Sequence, residues 1–226
     1  AQDTLKVLEA VLRSNFWLGT HVICINIGYS AAILGGVIAH LFIFSCFLNV
    51  GSKDFRKSVT RMVYGVTCFG LLFALVGTVL GGVWANDSWG RFWGWDPKEN
   101  GALMICIGAI ILLHARMGGY IKELGINVMA VLILMITVFS WWHVNQLETG
   151  LHSYGFTSGI MFWLFIVYAI ECAVMTIGIS CSFLRFPERK ARLARHRLGL
   201  ADVFPVSFFL LAFCFTIIFV KLALRA

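Results

Sequence analysis

Residues 16–48 read FWLGTHVICINIGYSAAILGGVIAHLFIFSCFL, thirty-three consecutive positions without one Asp, Glu, Lys or Arg. About 20 apolar residues in a helix cross a hydrocarbon core of roughly 30 Å. This run is therefore a membrane-spanning helix with length to spare, enough to tilt or to project beyond the bilayer. Outward from it, Gly-rich runs of low charge recur at 62–83, 99–116, 126–144, 159–184 and 203–220. Sixty per cent of the 226 residues are apolar and the mean hydropathy is +0.87, above the about 45–50% apolar share of soluble domains. The surplus has to face lipid. The expected fold is all-α and polytopic, with about six transmembrane helices in one domain over 15–226.

The start of the chain, AQDTLKVLEAVLR, sets Leu5, Leu8 and Leu12 at helical spacing, with Asp3, Lys6, Glu9 and Arg13 elsewhere. That pattern predicts a short amphipathic helix over 1–14, lying at the membrane interface. The chain opens on Ala1, with neither an initiator Met nor a signal-peptide pattern, so further residues are expected upstream.

Of the 18 basic residues, twelve fall in three connections at 49–61, 116–125 and 185–202. The positive-inside rule puts these in the cytoplasm and the loops at 84–98 and 143–158 outside. The net charge of +7 is thus an orientation signal and an attraction for anionic lipid. Nucleic acid is not an expected partner. Seven cysteines all lie within apolar runs, with no C-x-x-C or C-x-x-C-H pair. They read as small core hydrophobes, which excludes dithiol chemistry and covalent haem attachment by this chain's own cysteines.

Function is concentrated in residues 84–100, WANDSWGRFWGWDPKEN. Tryptophans collect at both membrane boundaries as an aromatic belt, and Trp17, Trp141, Trp142 and Trp163 suit that role. Trp84, Trp89, Trp93 and Trp95 instead crowd into one external loop, 84–99, among five charged residues. Each wants a large flat contact and an indole N–H partner, so the loop makes a platform for a planar, amphipathic ligand. Asp96 precedes a Pro at the start of a helix, and reads equally as part of the site and as an N-cap.

His21, His143 and His152 cluster on the external side with the tryptophans, whereas His40 and His114 fall toward the cytoplasmic half. Two imidazoles from different spans under an aromatic wall are what axial ligation of a haem iron needs. Arg91 or Lys98 would neutralise the propionates. A lone membrane histidine can equally satisfy a backbone carbonyl. Glu171 stands near the middle of the fifth span, where a carboxylate is expensive and usually functional or paired.

The run WGRFWGWDPKE at 89–99 resembles the Trp-rich WWD signature of the haem-handling proteins of cytochrome c maturation. Its DPKE ending, with NFWLGTHV around His21, LLHAR around His114 and GLHSYGF around His152, resembles the CcsA/ResC branch, the system II synthase. The likeness runs from about residue 15 to 159 and weakens over the last two spans. It implies that His21 and His152 ligate the iron of noncovalent haem b beside the Trp loop and that His114 ligates it at an inner site. It further implies that a CcsB/ResB-like membrane subunit supplies the other inner ligand, and that haem in transit is joined outside to the C-x-x-C-H segment of apocytochrome c. The chain would then be part of a holocytochrome-c synthase in a bacterial cytoplasmic or thylakoid membrane, with the WWD loop on the external or lumenal side. His40 is a departure from the pattern, and a candidate replacement for the partner's ligand. Other readings are a CcmC-like haem chaperone or exporter module and a b-haem electron-conducting subunit, and Glu171 is the one hint of a transporter.

Overall fold

The computed structural model describes residues 15–147, 149–152 and 159–184. Five long helices follow one another: α1 (Asn15–Phe47), α2 (Lys53–Trp89), α3 (Pro97–Met117), α4 (Glu123–Trp141) and α5 (Ile160–Leu184), with one 3-10 turn, His143–Leu147, after α4. All five are long and apolar enough to cross a membrane, and the described residues contain no strand. The protein is an all-helical polytopic membrane protein. The interfacial helix expected over 1–14 and the sixth span expected over 203–220 lie outside the described residues.

The first two helices are much longer than a bilayer needs. α1 has 33 residues and α2 has 37, about 50 and 55 Å at ~1.5 Å per residue. Much of the connection expected at 49–61 is helix, because α2 starts at Lys53 behind an N-cap in which Ser52 accepts the N–H of Phe55 at 3.0 Å. Polar residues at a membrane boundary can continue a helix, which satisfies their backbone groups internally. At the far end α2 carries through Trp84 to Trp89 before Gly90, at φ 71°, stops it. Residues 84–89 are thus helical rather than loop.

α4 is the core of the bundle: 72% of its most apolar stretch is buried, against 22–44% in the other four helices. Large apolar residues such as Ile23, Leu34, Leu41, Leu72, Val79 and Phe165 point outward, as lipid-facing side chains do. Lipid is as apolar as leucine, so helices associate here through close van der Waals contact and polar bonds rather than hydrophobic burial. α1 and α2 meet through glycine. A methyl group on Gly28 would stand 2.6 Å from the backbone nitrogen of Ala74, and one on Gly77 would stand 2.7 Å from that of Ile25. Polar clips add to this. Tyr29 and Ser140 share a 2.8 Å hydrogen bond between α1 and α4, and Asn127 donates to Thr60 at 3.0 Å between α4 and α2.

Since consecutive helices alternate in direction, the α2–α3 connection, the α4–α5 connection and the start of α1 share one end of the bundle. Lys53, Arg56, Lys57, Arg61, Arg116 and Lys122 stand toward the opposite end.

The α1–α2 contact predicts a sharp contrast between two glycines. Gly28→Val should destabilise the protein by about 1–3 kcal/mol through overpacking. Gly65→Val, on the same helix pair with nothing within 4 Å, should leave the thermal midpoint in detergent nearly unchanged. Equal midpoints for the two variants would contradict the close backbone approach.

Candidate functional site

The site is built at the shared end from four chain segments. α1 contributes His21, whose Nδ1 donates to the Gly77 carbonyl of α2 at 2.7 Å. Gly81, one turn further along α2, has no side chain to displace the imidazole: a methyl there would stand 2.6 Å from Cε1 of His21. Three residues beyond Gly81, Trp84 lies parallel to His21, with ring centroids 6.3 Å apart and planes 7° apart. Trp84 is 2% exposed, and its indole Nε1 is buried without an acceptor in the described chain. Trp89 meets Trp84 edge-on at 4.8 Å.

The link from α2 to α3 is held by one carboxylate. Glu99 Oε2 accepts the backbone N–H groups of Gly94 at 2.7 Å and Asp96 at 3.3 Å, while Oε1 accepts from Arg91 at 3.2 Å. Asp96 returns the bond, its Oδ1 accepting the Glu99 N–H at 3.0 Å. With Pro97 in the first turn, this is a complete capping box. Trp95 is fixed by the same turn at φ 61°, a left-handed conformation that costs a bulky residue on the order of 1–3 kcal/mol. Its ring is 69% exposed and meets Trp93 edge-on at 5.9 Å.

The fourth segment lies between α4 and α5. Gly150, at φ 84°, presses against the start of α3, where a methyl would stand 2.8 Å from Cβ of Asp96. Two residues later His152 reaches into the site, its Nδ1 donating to Asp96 Oδ2 at 2.5 Å. The ring of His152 lies 6.2 Å from Trp84 and 4.8 Å from Trp89. Asp96 is therefore helix cap and site residue at once. Burial pushes its carboxyl pKa up, but the His152 ring and the backbone N–H groups of Glu99 and Lys98 outweigh that and hold it below the usual range. Ligand atoms of Asp96, Glu99 and His152 lie within 4.8 Å of one another. Hydrogen-bond donors from the chain already occupy both carboxylates of this group.

A family model described as "Cytochrome C assembly protein" matches residues 6–152, from ahead of α1 through His152. The chain belongs to this family. A cytochrome c biogenesis protein CcsA of Chlamydomonas reinhardtii is 35% identical over 154 residues, covering 66% of this chain and 43% of that relative. CcsA of Phaseolus vulgaris is 36% identical over 115 residues, covering 50% and 35%. CcsA of Synechococcus sp. (strain CC9902) is 30% identical over 177 residues, covering 66% and 58%. The chain spans about a third to three fifths of the length of these curated relatives.

The residues singled out by sequence divide into four groups. His21, Trp84, Trp89, Asp96 and His152 come together. Trp93 and Trp95 form a second, outer pair. Arg91 and Lys98 sit nearby but are engaged by the chain: Arg91 with Glu99 and against the Trp89 ring at 5.8 Å, and Lys98 with the Trp141 carbonyl at 3.0 Å, where it caps α4. His114 stands apart in the last turn of α3, exposed, with Nδ1 bonded to the Ile110 carbonyl at 2.8 Å.

His40 donates from Nδ1 to the Gly36 carbonyl at 2.7 Å, and its Nε2 lies 3.0 Å from Glu171 Oε2. Sequence reasoning passed over Glu99, although Asp-Pro-Lys-Glu at 96–99 is a readable capping box. It also passed over Gly77 and Gly81, whose role depends on a neighbour distant in sequence.

His143 is held elsewhere at this end. It is 5% exposed, 3.2 Å from the hydroxyl of Tyr168 and packed on Phe139. Burial lowers its pKa below the ordinary 6.5. A neutral buried imidazole stabilises the fold fully above about 6.5, and that contribution is lost as pH falls below it, because the unfolded chain then binds the extra proton. Thermal midpoints should therefore drop between pH 7 and pH 5, and His143→Phe should flatten that part of the slope. An identical slope in the variant would mean that other groups carry the acid sensitivity.

Proposed function

We propose that this chain is a haem-binding and haem-transferring membrane subunit of a cytochrome c synthase, presenting haem b for thioether attachment to apocytochrome c. The observation that carries the reading is the meeting of His21 and His152 at Trp84, with each Nδ1 held by the chain. A neutral imidazole that donates from Nδ1 keeps its lone pair on Nε2, the form that ligates a metal. Two such rings at one aromatic wall suit the two axial positions of haem held without a covalent bond. The buried indole N–H of Trp84, unpaired within the described chain, is a donor that a bound ligand would satisfy.

Trp89, Trp93 and Trp95 would cover the porphyrin, and the strained, exposed setting of Trp95 supports a binding role for its ring. Arg91, a third exposed, is better suited than Lys98 to meet a propionate, since Lys98 is committed to α4. What the chain contributes is orientation. Holding the ligand in one pose raises the effective concentration of vinyl and thiol. Each cysteine S–H of the acceptor adds across one vinyl group, sulfur bonding one carbon and hydrogen the other, so no oxidant is required.

His114, near the far end of α3 and exposed on the bundle surface, supports an inner site completed by a CcsB/ResB-like partner subunit. The basic residues at that same end support a cytoplasmic placement, with the Trp-rich end external or lumenal, in a bacterial cytoplasmic or a thylakoid membrane.

Replacing His21 or His152 by Ala should lower both the noncovalent haem on the purified protein and the yield of holocytochrome c, each by at least roughly tenfold. His114→Ala should remove the inner-site signal alone. Normal maturation by the His21 and His152 variants would sink the assignment.

A further inference from the structure

Each carboxylate oxygen of Asp96 accepts from a different partner, Glu99 N–H on Oδ1 and His152 Nδ1 on Oδ2, with the Lys98 N–H also nearby on the cap side. Side chain and site are both well shielded, with Asp96 4% and His152 15% exposed. His21, by contrast, donates to a neutral backbone carbonyl. A carboxylate behind an imidazole fixes its tautomer and raises its basicity more than a carbonyl does. We propose that Asp96 is the positioning residue for His152, locking the proton on Nδ1 and making His152 the firmer of two unequal haem ligands. The proposal rests on the reading of His21 and His152 as ligands.

The argument turns on counting donors and acceptors. Asparagine is a good N-cap, but it has a single acceptor oxygen. With that oxygen on Glu99 N–H, its amide N–H faces His152 and drives the ring to the opposite tautomer, with the proton on Nε2 and no lone pair there. Turned round, it leaves the cap with two opposed donors. Serine caps the helix through its hydroxyl and is too short to replace the carboxylate at His152. Both Asp96→Asn and Asp96→Ser therefore separate the cap from the charge, which a merely structural Asp96 would not reveal.

The test uses the full chain purified with its bound haem and compares wild type, Asp96→Asn, Asp96→Ser and His152→Ala. Haem affinity, read by competition with apomyoglobin, should fall about 10–100-fold in both Asp96 variants. The six-coordinate low-spin fraction should shrink, and the midpoint potential should rise as the ligand becomes a weaker donor. On the haem-free protein, ring 15N shifts of His152 should report Nδ1 protonated in wild type and Nε2 protonated in Asp96→Asn. If both Asp96 variants keep wild-type affinity, spin state and potential while His152→Ala loses them, the positioning role is wrong and the ligand reading stands. If His152→Ala also binds haem as wild type does, the ligand reading fails and the proposal goes with it.

Discussion

The arrangement depends first on how closely α1 and α2 approach. In lipid two helices gain little by hiding apolar surface from one another, so contact distance decides whether they associate. Gly28 and Gly77 let the two backbones come within a methyl group of touching. That approach delivers His21 to the Gly77 carbonyl, and Gly81 leaves room for its ring. A methyl group at Gly77 would meet the Ile25 backbone, and one at Gly81 would meet the His21 ring itself. The packing device and the chemistry are thus the same stretch of helix.

A second constraint closes the site from the other side. Glu99 holds the turn before α3, the turn presents Asp96, and Asp96 draws in the segment that carries His152. Each link is a backbone or side-chain hydrogen bond with its donor and acceptor matched, which is how a short loop next to a membrane stays ordered without a core of its own. Asp96 joins the stability of a helix end to the orientation of a histidine. A change there cannot be classed as structural or functional until the two bonds are separated.

Much of the fold was legible because hydropathy over about 20 residues is a strong signal: the five described helices lie close to the apolar runs that announce them. The exceptions have a common cause. Lys53–Arg61 and Trp84–Trp89 are helical beyond the apolar stretch, where a helix continues for backbone reasons that hydropathy does not register. In the site, the tryptophans, His21 and His152 stood out by type. The pairing of His152 with Asp96 did not, because residues 56 positions apart leave no local pattern. His40 and Glu171 were each visible as costly membrane residues, and only their 3.0 Å separation reveals that each answers the other.

The order of the segments along the chain has a consequence for biogenesis. His21 and Trp84 belong to α1 and α2, whereas His152 follows α4 and precedes α5. A nascent chain that has inserted α1 and α2 displays the aromatic wall and one imidazole but lacks the second, along with the carboxylate behind it. The complete pocket comes into being only after α1 to α4 are in place. Assembly of the bundle thereby acts as a timer, holding back two-sided ligand capture until the scaffold that must orient the cargo already exists.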